Sequence, residues 1–197
     1  MSVDIYGTAG IKKQAANQCA PVFAGVKPSN IFITGEGTEE EVIRILTGTG
    51  LKSRKLYEGE GRRMYLFYRE EMLKQILLKE QVGAFFEEYG YNSMDIDAVL
   101  DRIISCYNLY KSQKRDFPHE IGLLLGYPLC DVKGFIEHKG ADFLFSGYWK
   151  VYENAEETKR LFDIYTAIKE MVLREVEKGL AFGQIVSMFQ KKNIWAA

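Results

Sequence analysis

The chain has 197 residues, of which 47% are hydrophobic and 27% charged, the proportions of a globular protein with a full core. Its 26 basic and 27 acidic residues give a formal net charge of −1, which argues against a surface built throughout for nucleic-acid phosphates. The length predicts a single globular domain over residues 1–197.

The three cysteines, Cys19, Cys106 and Cys130, are odd in number and far apart, which argues against a disulfide framework and favours a reducing compartment. The first residues lack a basic segment followed by an apolar run, so we expect no signal peptide. No apolar run is long enough to span a bilayer. The sequence therefore predicts a cytoplasmic protein that does not act at a membrane.

Secondary structure in the first half is indicated by turn residues and by alternating side chains. A helix is predicted over 8–18, and 19–28, with two prolines and a glycine, is predicted to be an extended connection. A run of β-branched and aromatic residues predicts a strand near 30–34. The segments 51–58 and 62–69 lie on either side of a Gly-Glu-Gly turn and predict a β-hairpin.

In the second half, apolar spacings of three and four residues predict several helices. Asp95 is a predicted helix cap, Pro118 suits the first turn of a later helix, and Gly126 ends that helix. The aromatic stretch 143–152 is predicted to be extended and is a candidate fourth strand. The chain as a whole predicts an α+β fold, in which a small, mainly antiparallel sheet packs against five to seven helices.

Two short helices around Gly126, over 119–139, have the layout of a helix-turn-helix. The second of them carries Asp131, Lys133 and Glu137 but no Arg, Asn or Gln, whereas base readout uses basic and amide side chains. An ordinary helical hairpin is therefore the favoured interpretation, and nucleic-acid binding is a subordinate one.

Cysteine-based catalysis would need a thiol, an imidazole base and a group that orients the imidazole. Cys19 lies in the predicted non-helical segment, and His119 lies at a helix start, where the helix dipole favours neutral imidazole. Glu120 or an asparagine is the candidate orienting group, and a structural histidine is the competing interpretation. No histidine or cysteine pair has the spacing of a zinc motif, so no metal site is predicted, and no motif identifies a cofactor.

Three stretches carry a family resemblance in combination: CAPVFAGVKP at 19–28, FPHEIGLLLGYPLCDVKGF at 117–135 and GYWKVY at 147–152. Together they resemble the bacterial domain-of-unknown-function family 3793, over about residues 17–190. The resemblance implies a stand-alone cytoplasmic protein and assigns no reaction, cofactor or catalytic residue. It also implies that six residues are candidates for one shared pocket: Cys19, Lys27, His119, Glu120, Tyr127 and Lys150.

We therefore expect a binding protein for an acidic small molecule or a protein partner, with a pocket formed by 19–28, 117–128 and 147–152. The predicted ligand-binding residues are Lys27, Tyr127 and Lys150, because two lysines and a helix N-terminus supply a positive field. The first alternative is an enzyme with Cys19 as nucleophile and His119 as base. The second alternative is a helix-turn-helix regulator that binds DNA through 119–139.

Overall fold

The computed structural model describes residues 8–35 and 39–192, and the chain divides into two compact units. Unit 1 comprises Met1–Arg69 and Thr166–Ala197, and unit 2 comprises Glu70–Tyr165. The described residues form nine helices and five strands, so the predicted α+β class is confirmed, with more helices than predicted. The single domain predicted over residues 1–197 stays a prediction.

Unit 1 contains α1 (Thr8–Phe23), β1 (Ser29–Thr34), α2 (Glu39–Leu46), β2 (Lys52–Gly59), β3 (Arg62–Tyr68), the part of α8 (Ala155–Glu177) from Thr166 onward, and α9 (Phe182–Lys192). The three strands form an antiparallel sheet in the order β1-β3-β2, and each lies within one residue of its predicted bounds. Glu60 and Gly61 both have positive φ (56° and 68°), as expected for a tight hairpin turn whose twist matches the strands.

Helix α1 is longer than the sequence predicts. It runs through Pro21 to Phe23, so the prediction of an extended chain is wrong for residues 19–23. The helix continues because it buries Cys19, Ala20, Val22 and Phe23, and a proline in the last turn removes only one intrahelical hydrogen bond.

Phenylalanine rings form the centre of unit 1. The ring of Phe23 on α1 stacks on that of Phe182 on α9, with 4.2 Å between centroids. Phe23 also meets Phe67 of β3 edge-on at 6.4 Å, and Phe67 stacks on Phe32 of β1 at 4.9 Å. These contacts place α1 and α9 on one face of the sheet.

Unit 2 contains α3 (Glu70–Leu77), α4 (Glu80–Glu88), α5 (Ile96–Lys111), α6 (Ile121–Leu124), α7 (Leu129–Glu137), β4 (Phe145–Ser146), β5 (Lys150–Val151) and α8 up to Tyr165. The predicted cap at Asp95 is confirmed, since its side chain accepts hydrogen bonds from the backbone N–H groups of Asp97 and Ala98. β4 and β5 pair with each other and stay outside the main sheet.

Helices α6 and α7 pack closely on either side of the turn at Gly126, which has a φ of 79°. A Cβ at Gly122 would lie 3.0 Å from the Val132 side chain and 3.1 Å from that of Tyr127, so a larger residue would require these side chains to move by a few tenths of an ångström. All four residues of α6 are buried in the packing. The DNA-binding role of 119–139 stays a prediction, and no contact described here favours it.

None of the helices within 8–35 and 39–192 combines the length and the apolar composition that a bilayer crossing requires.

Candidate functional site

The six predicted site residues divide between the two units. Cys19 and Lys27 lie in unit 1, whereas His119, Glu120, Tyr127 and Lys150 lie in unit 2. The single pocket predicted from 19–28, 117–128 and 147–152 therefore stays a prediction. Within each unit, however, the contacts of these side chains show what each of them can do.

In unit 1, Cys19 and Lys27 lie in one buried cluster with Asn30. The Nζ atom of Lys27 donates a hydrogen bond to Oδ1 of Asn30, and the Cys19 thiol donates a weak one to the backbone oxygen of Ile31 at 3.9 Å. Burial raises the pKa of the Cys19 thiol to about 12, although the nearby Lys27 and Asn30 partly oppose this shift. Burial also lowers the pKa of Lys27 to about 8.

This environment bears directly on the catalytic role predicted for Cys19. A cysteine nucleophile reacts as an accessible thiolate. The Cys19 side chain is fully buried, and its raised pKa keeps the thiol protonated at neutral pH. The predicted role stays untested, but the surroundings of the thiol do not favour it.

In unit 2, Glu120 is buried, and its Oε1 atom accepts a hydrogen bond from the hydroxyl of Tyr91 at 2.9 Å. Burial, together with this carboxylate, raises the pKa of Tyr91. The hydrogen bond ties the start of α6 to the segment between α4 and α5. Glu120 thus has a structural partner, and its predicted role as the group that orients His119 stays a prediction.

His119 belongs to a series of ring contacts on unit 2. Its imidazole lies 5.1 Å from the ring of Phe117 and 4.9 Å from that of Phe135. The series continues from Phe117 to Tyr110 at 5.4 Å, and from Phe135 to the Nζ atom of Lys150 at 5.7 Å. We call this series, completed by Phe143, the aromatic–lysine belt: Tyr110, Phe117, His119, Phe135, Lys150 and Phe143.

Lys150 is the cationic member of the belt. Its Nζ atom lies 4.8 Å from the centre of the Phe143 ring and donates a hydrogen bond to the backbone oxygen of Gly140 at 2.6 Å. Lys55, Lys74 and Lys178 pair with glutamates, whereas Lys150 has no carboxylate partner among the residues that the structure describes. Aromatic faces attract an ammonium ion but do not neutralise its charge.

His119 adds a ring to the belt rather than a charge. Burial lowers the pKa of its imidazole, and the nearby carboxylates of Glu120 and Asp116 oppose this shift in part. At neutral pH the ring is therefore mainly neutral. It packs between two phenylalanines as an aromatic surface.

Tyr127 contacts a different set of rings from Lys150. It stacks on Trp149 at 4.7 Å, and Trp149 meets Phe162 edge-on at 4.5 Å. The indole Nε1 of Trp149 donates to Oδ2 of Asp131 at 2.7 Å, and the backbone N–H of Tyr152 donates to Oδ1 of the same carboxylate, also at 2.7 Å. The structure therefore brings His119 and Lys150 to one shared ring, Phe135, whereas Tyr127 stacks on Trp149.

Sequence reasoning missed Asp131, Phe135 and Phe143 as site or support residues. In the sequence, Phe135 is marked only as the last residue of the family stretch 117–135, and Asp131 only as one of several charges on its predicted helix. Asp131 is instead buried and holds the 149–153 segment against α7 through three hydrogen bonds. No local sequence signal distinguishes such an aspartate from an exposed one.

The described residues contain no group of three or more His, Cys, Asp or Glu side chains arranged to hold a metal ion. The three cysteines are unpaired, with Cys19 and Cys106 buried and Cys130 half-buried.

Comparison with protein families gives one match. The family described as "Protein of unknown function (DUF3793)" matches residues 15–186, which is most of the chain. Searches of the curated proteins and of the solved structures found no match to the sequence or the fold.

Proposed function

The chain belongs to the family of proteins of unknown function DUF3793, and from its own side chains we propose that it is a binding protein that holds a carboxylate group at Lys150. The carboxylate belongs to an acidic small molecule or to a protein partner. The proposed site lies in unit 2 and consists of Lys150, from the segment 147–152, with Phe135 and Phe143 beside it.

The observation that supports the proposal is the environment of the Lys150 ammonium group. An ammonium ion has three N–H donors, and the described contacts use one of them, towards the Gly140 oxygen. Phe135 and Phe143 lie beside the same group and reduce its contact with water, which strengthens a charge-assisted hydrogen bond made there. A carboxylate would accept hydrogen bonds from the ammonium group and balance its charge.

Exposed apolar side chains beside Lys150 suggest what else the ligand carries. Phe143 is 40% exposed and Leu144 is 61% exposed, and both precede β4 in the chain. A ligand with an apolar group next to its carboxylate would bury these side chains on binding.

The test is a thermal-shift assay with succinate, citrate, glutamate and benzoate as probes. A ligand at about one hundred times its Kd stabilises the folded protein by about 2.7 kcal/mol, which raises the Tm by several degrees. We expect at least one probe to raise the Tm of the native protein and not that of Lys150→Met.

Lys133→Met is the matched control. Lys133 is an exposed lysine of the same unit, and its Nζ atom also lies near a ring, 5.7 Å from the centre of Phe85. The control variant should respond to the probes as the native protein does. A probe shift that is equal in the native protein and in Lys150→Met would refute the proposed site.

A further inference from the structure

We propose that the whole aromatic–lysine belt docks an extended, acidic segment of a partner protein. This inference rests on the proposed function, because Lys150 supplies one of the carboxylate contacts. It adds the class of partner and a second region of contact, at the Tyr110 end of the belt.

The belt joins six side chains by successive contacts. Five contacts of 4.8 to 5.7 Å connect Tyr110 to Phe143, and each member contacts the next in the series. The path along these contacts is roughly 26 Å, which about eight residues of extended chain would cover. A single small carboxylate occupies only the Lys150 end of such a surface.

Both ends of the belt expose apolar side chains. Tyr110 is 40% exposed and is preceded by Leu109, which is 39% exposed. At the other end Phe143 and Leu144 are exposed as described above. Exposed aromatic and aliphatic side chains that form one contiguous patch are typical of protein interaction surfaces.

The charge around the belt complements an acidic partner. The two segments that carry it, 110–119 and 135–150, contain five basic and three acidic residues, although the whole chain is net negative. The basic residues are Lys111, Lys114, Arg115, Lys139 and Lys150. An acidic segment would therefore be attracted to this part of unit 2 more strongly than to the average surface.

The orientation of the rings favours a polypeptide over a single-stranded nucleic acid. Nucleic-acid bases stack on open aromatic faces. In the belt, Tyr110 and Phe117 meet at 87°, and His119 is tilted by about 50° against both of its neighbours. When two rings meet edge to face, the edge of one ring covers the face of the other, so that face is not open to a base. The uneven surface that results suits the aliphatic side chains of a polypeptide partner.

The experiment measures fluorescence anisotropy with a labelled peptide of alternating glutamate and leucine, about eight residues long. We expect the native protein to bind this peptide more tightly than a lysine–leucine peptide and than an oligothymidine of similar length. Lys150→Met and Tyr110→Ala should each weaken peptide binding at least about fivefold, the effect of losing one important contact. Leu109→Glu should weaken it as well, through repulsion, without removing a belt residue.

Leu78→Ala is the control, because Leu78 is an 81% exposed leucine of unit 2 outside the belt. The Leu78→Ala variant should bind the peptide with the affinity of the native protein. The Tyr110→Ala variant should keep the thermal shift with succinate that Lys150→Met loses. If small carboxylates bind but the acidic peptide binds no better than the basic one, this inference is overturned and the proposed function stands. Tighter binding of the oligothymidine would also overturn it, and failure of every probe would overturn both.

Discussion

Lys27 is a buried lysine, 3% exposed, whose neighbours include a thiol and a side-chain amide. Burial lowers its pKa from 10.5 to about 8 in the folded protein. Between these two values the unfolded chain binds more protons than the folded one, so stability rises as the pH rises from about 8. Cys19 acts in the opposite sense, because its pKa rises from 9.0 to about 12 and stability is lost above about pH 9.

The two shifts leave a window, from about pH 8 to about pH 9, in which Lys27 dominates the pair. We expect the free energy of unfolding of the native protein, measured in urea, to rise across this window relative to that of Lys27→Met. The reason is that the variant has no buried ammonium group whose deprotonation could stabilise the folded state as the pH rises. Lys13→Met, at an exposed lysine of the same unit, should follow the native protein. A difference between native protein and Lys27→Met that is constant with pH would contradict the assigned shift.

At the scale of elements, the two edges of the unit 1 sheet are protected in different ways. At the β1 edge, the Gln18 side chain donates to the backbone oxygen of Ile33 at 3.0 Å and accepts from its N–H at 2.8 Å, in the place of another strand. At the β2 edge, the register shifts between Lys55 and Tyr57, and the strand carries Lys52, Arg54 and Lys55. A bulge and basic side chains are common means by which proteins prevent edge-to-edge pairing.

Two helical glycines should respond in opposite ways to the same substitution. Gly83 in α4 has room for a methyl group, since the nearest atom to an added Cβ is in Met94 at 4.0 Å. Gly83→Ala should therefore raise the free energy of unfolding by about 0.5–1 kcal/mol through helix propensity. Gly183 in α9 faces backbone oxygens of Thr47 and Gly48, each 3.0 Å from an added Cβ, so Gly183→Ala should lower it by about 1–3 kcal/mol.

Urea denaturation of both variants checks this pair of expectations, and each serves as the control for the other. A gain of stability in Gly183→Ala would show that the approach of α9 to the turn after α2 is not as close as described, and a loss in Gly83→Ala would show that α4 has no room for a methyl group there.

At the scale of the whole molecule, unit 1 is built from two distant parts of the chain. Phe23 in α1 and Phe182 in α9 stack at its centre, so the unit is completed only when both parts have folded. To form such a contact, the chain between the two residues must close into a long loop, and the entropy of that loop is lost before the contact stabilises the fold.

We therefore expect Phe182→Ala to lower the free energy of unfolding by about 3–5 kcal/mol, as for a large side chain removed from a core. The matched comparison is Phe143→Ala, which removes a ring that is 40% exposed and should cost less than about 1 kcal/mol. The same Phe143 variant should weaken peptide binding to the belt. Urea denaturation gives both stabilities, and a small loss in Phe182→Ala would show that α9 contributes little to unit 1.

The sequence by itself determined those features that depend on near neighbours in the chain. The hairpin of β2 and β3 follows from its turn and its side-chain pattern, and the cap at Asp95 and the helix end at Gly126 follow from single residue types. Membership of the family is also recognisable from the sequence, since each of the three quoted motifs is a short continuous stretch of residues. The α+β class is the sum of these local preferences.

Only the tertiary structure decided the features that depend on distant residues. α1 continues through Pro21 because the helix face is buried, and the pKa of the Cys19 thiol is raised because the packing around it buries the side chain. The contact of His119 and Lys150 with one ring, Phe135, likewise requires the loop before α6, α7 and β5 to meet in space. Sequence patterns report preferences over a few residues, whereas burial and the meeting of separate segments are properties of the packed chain.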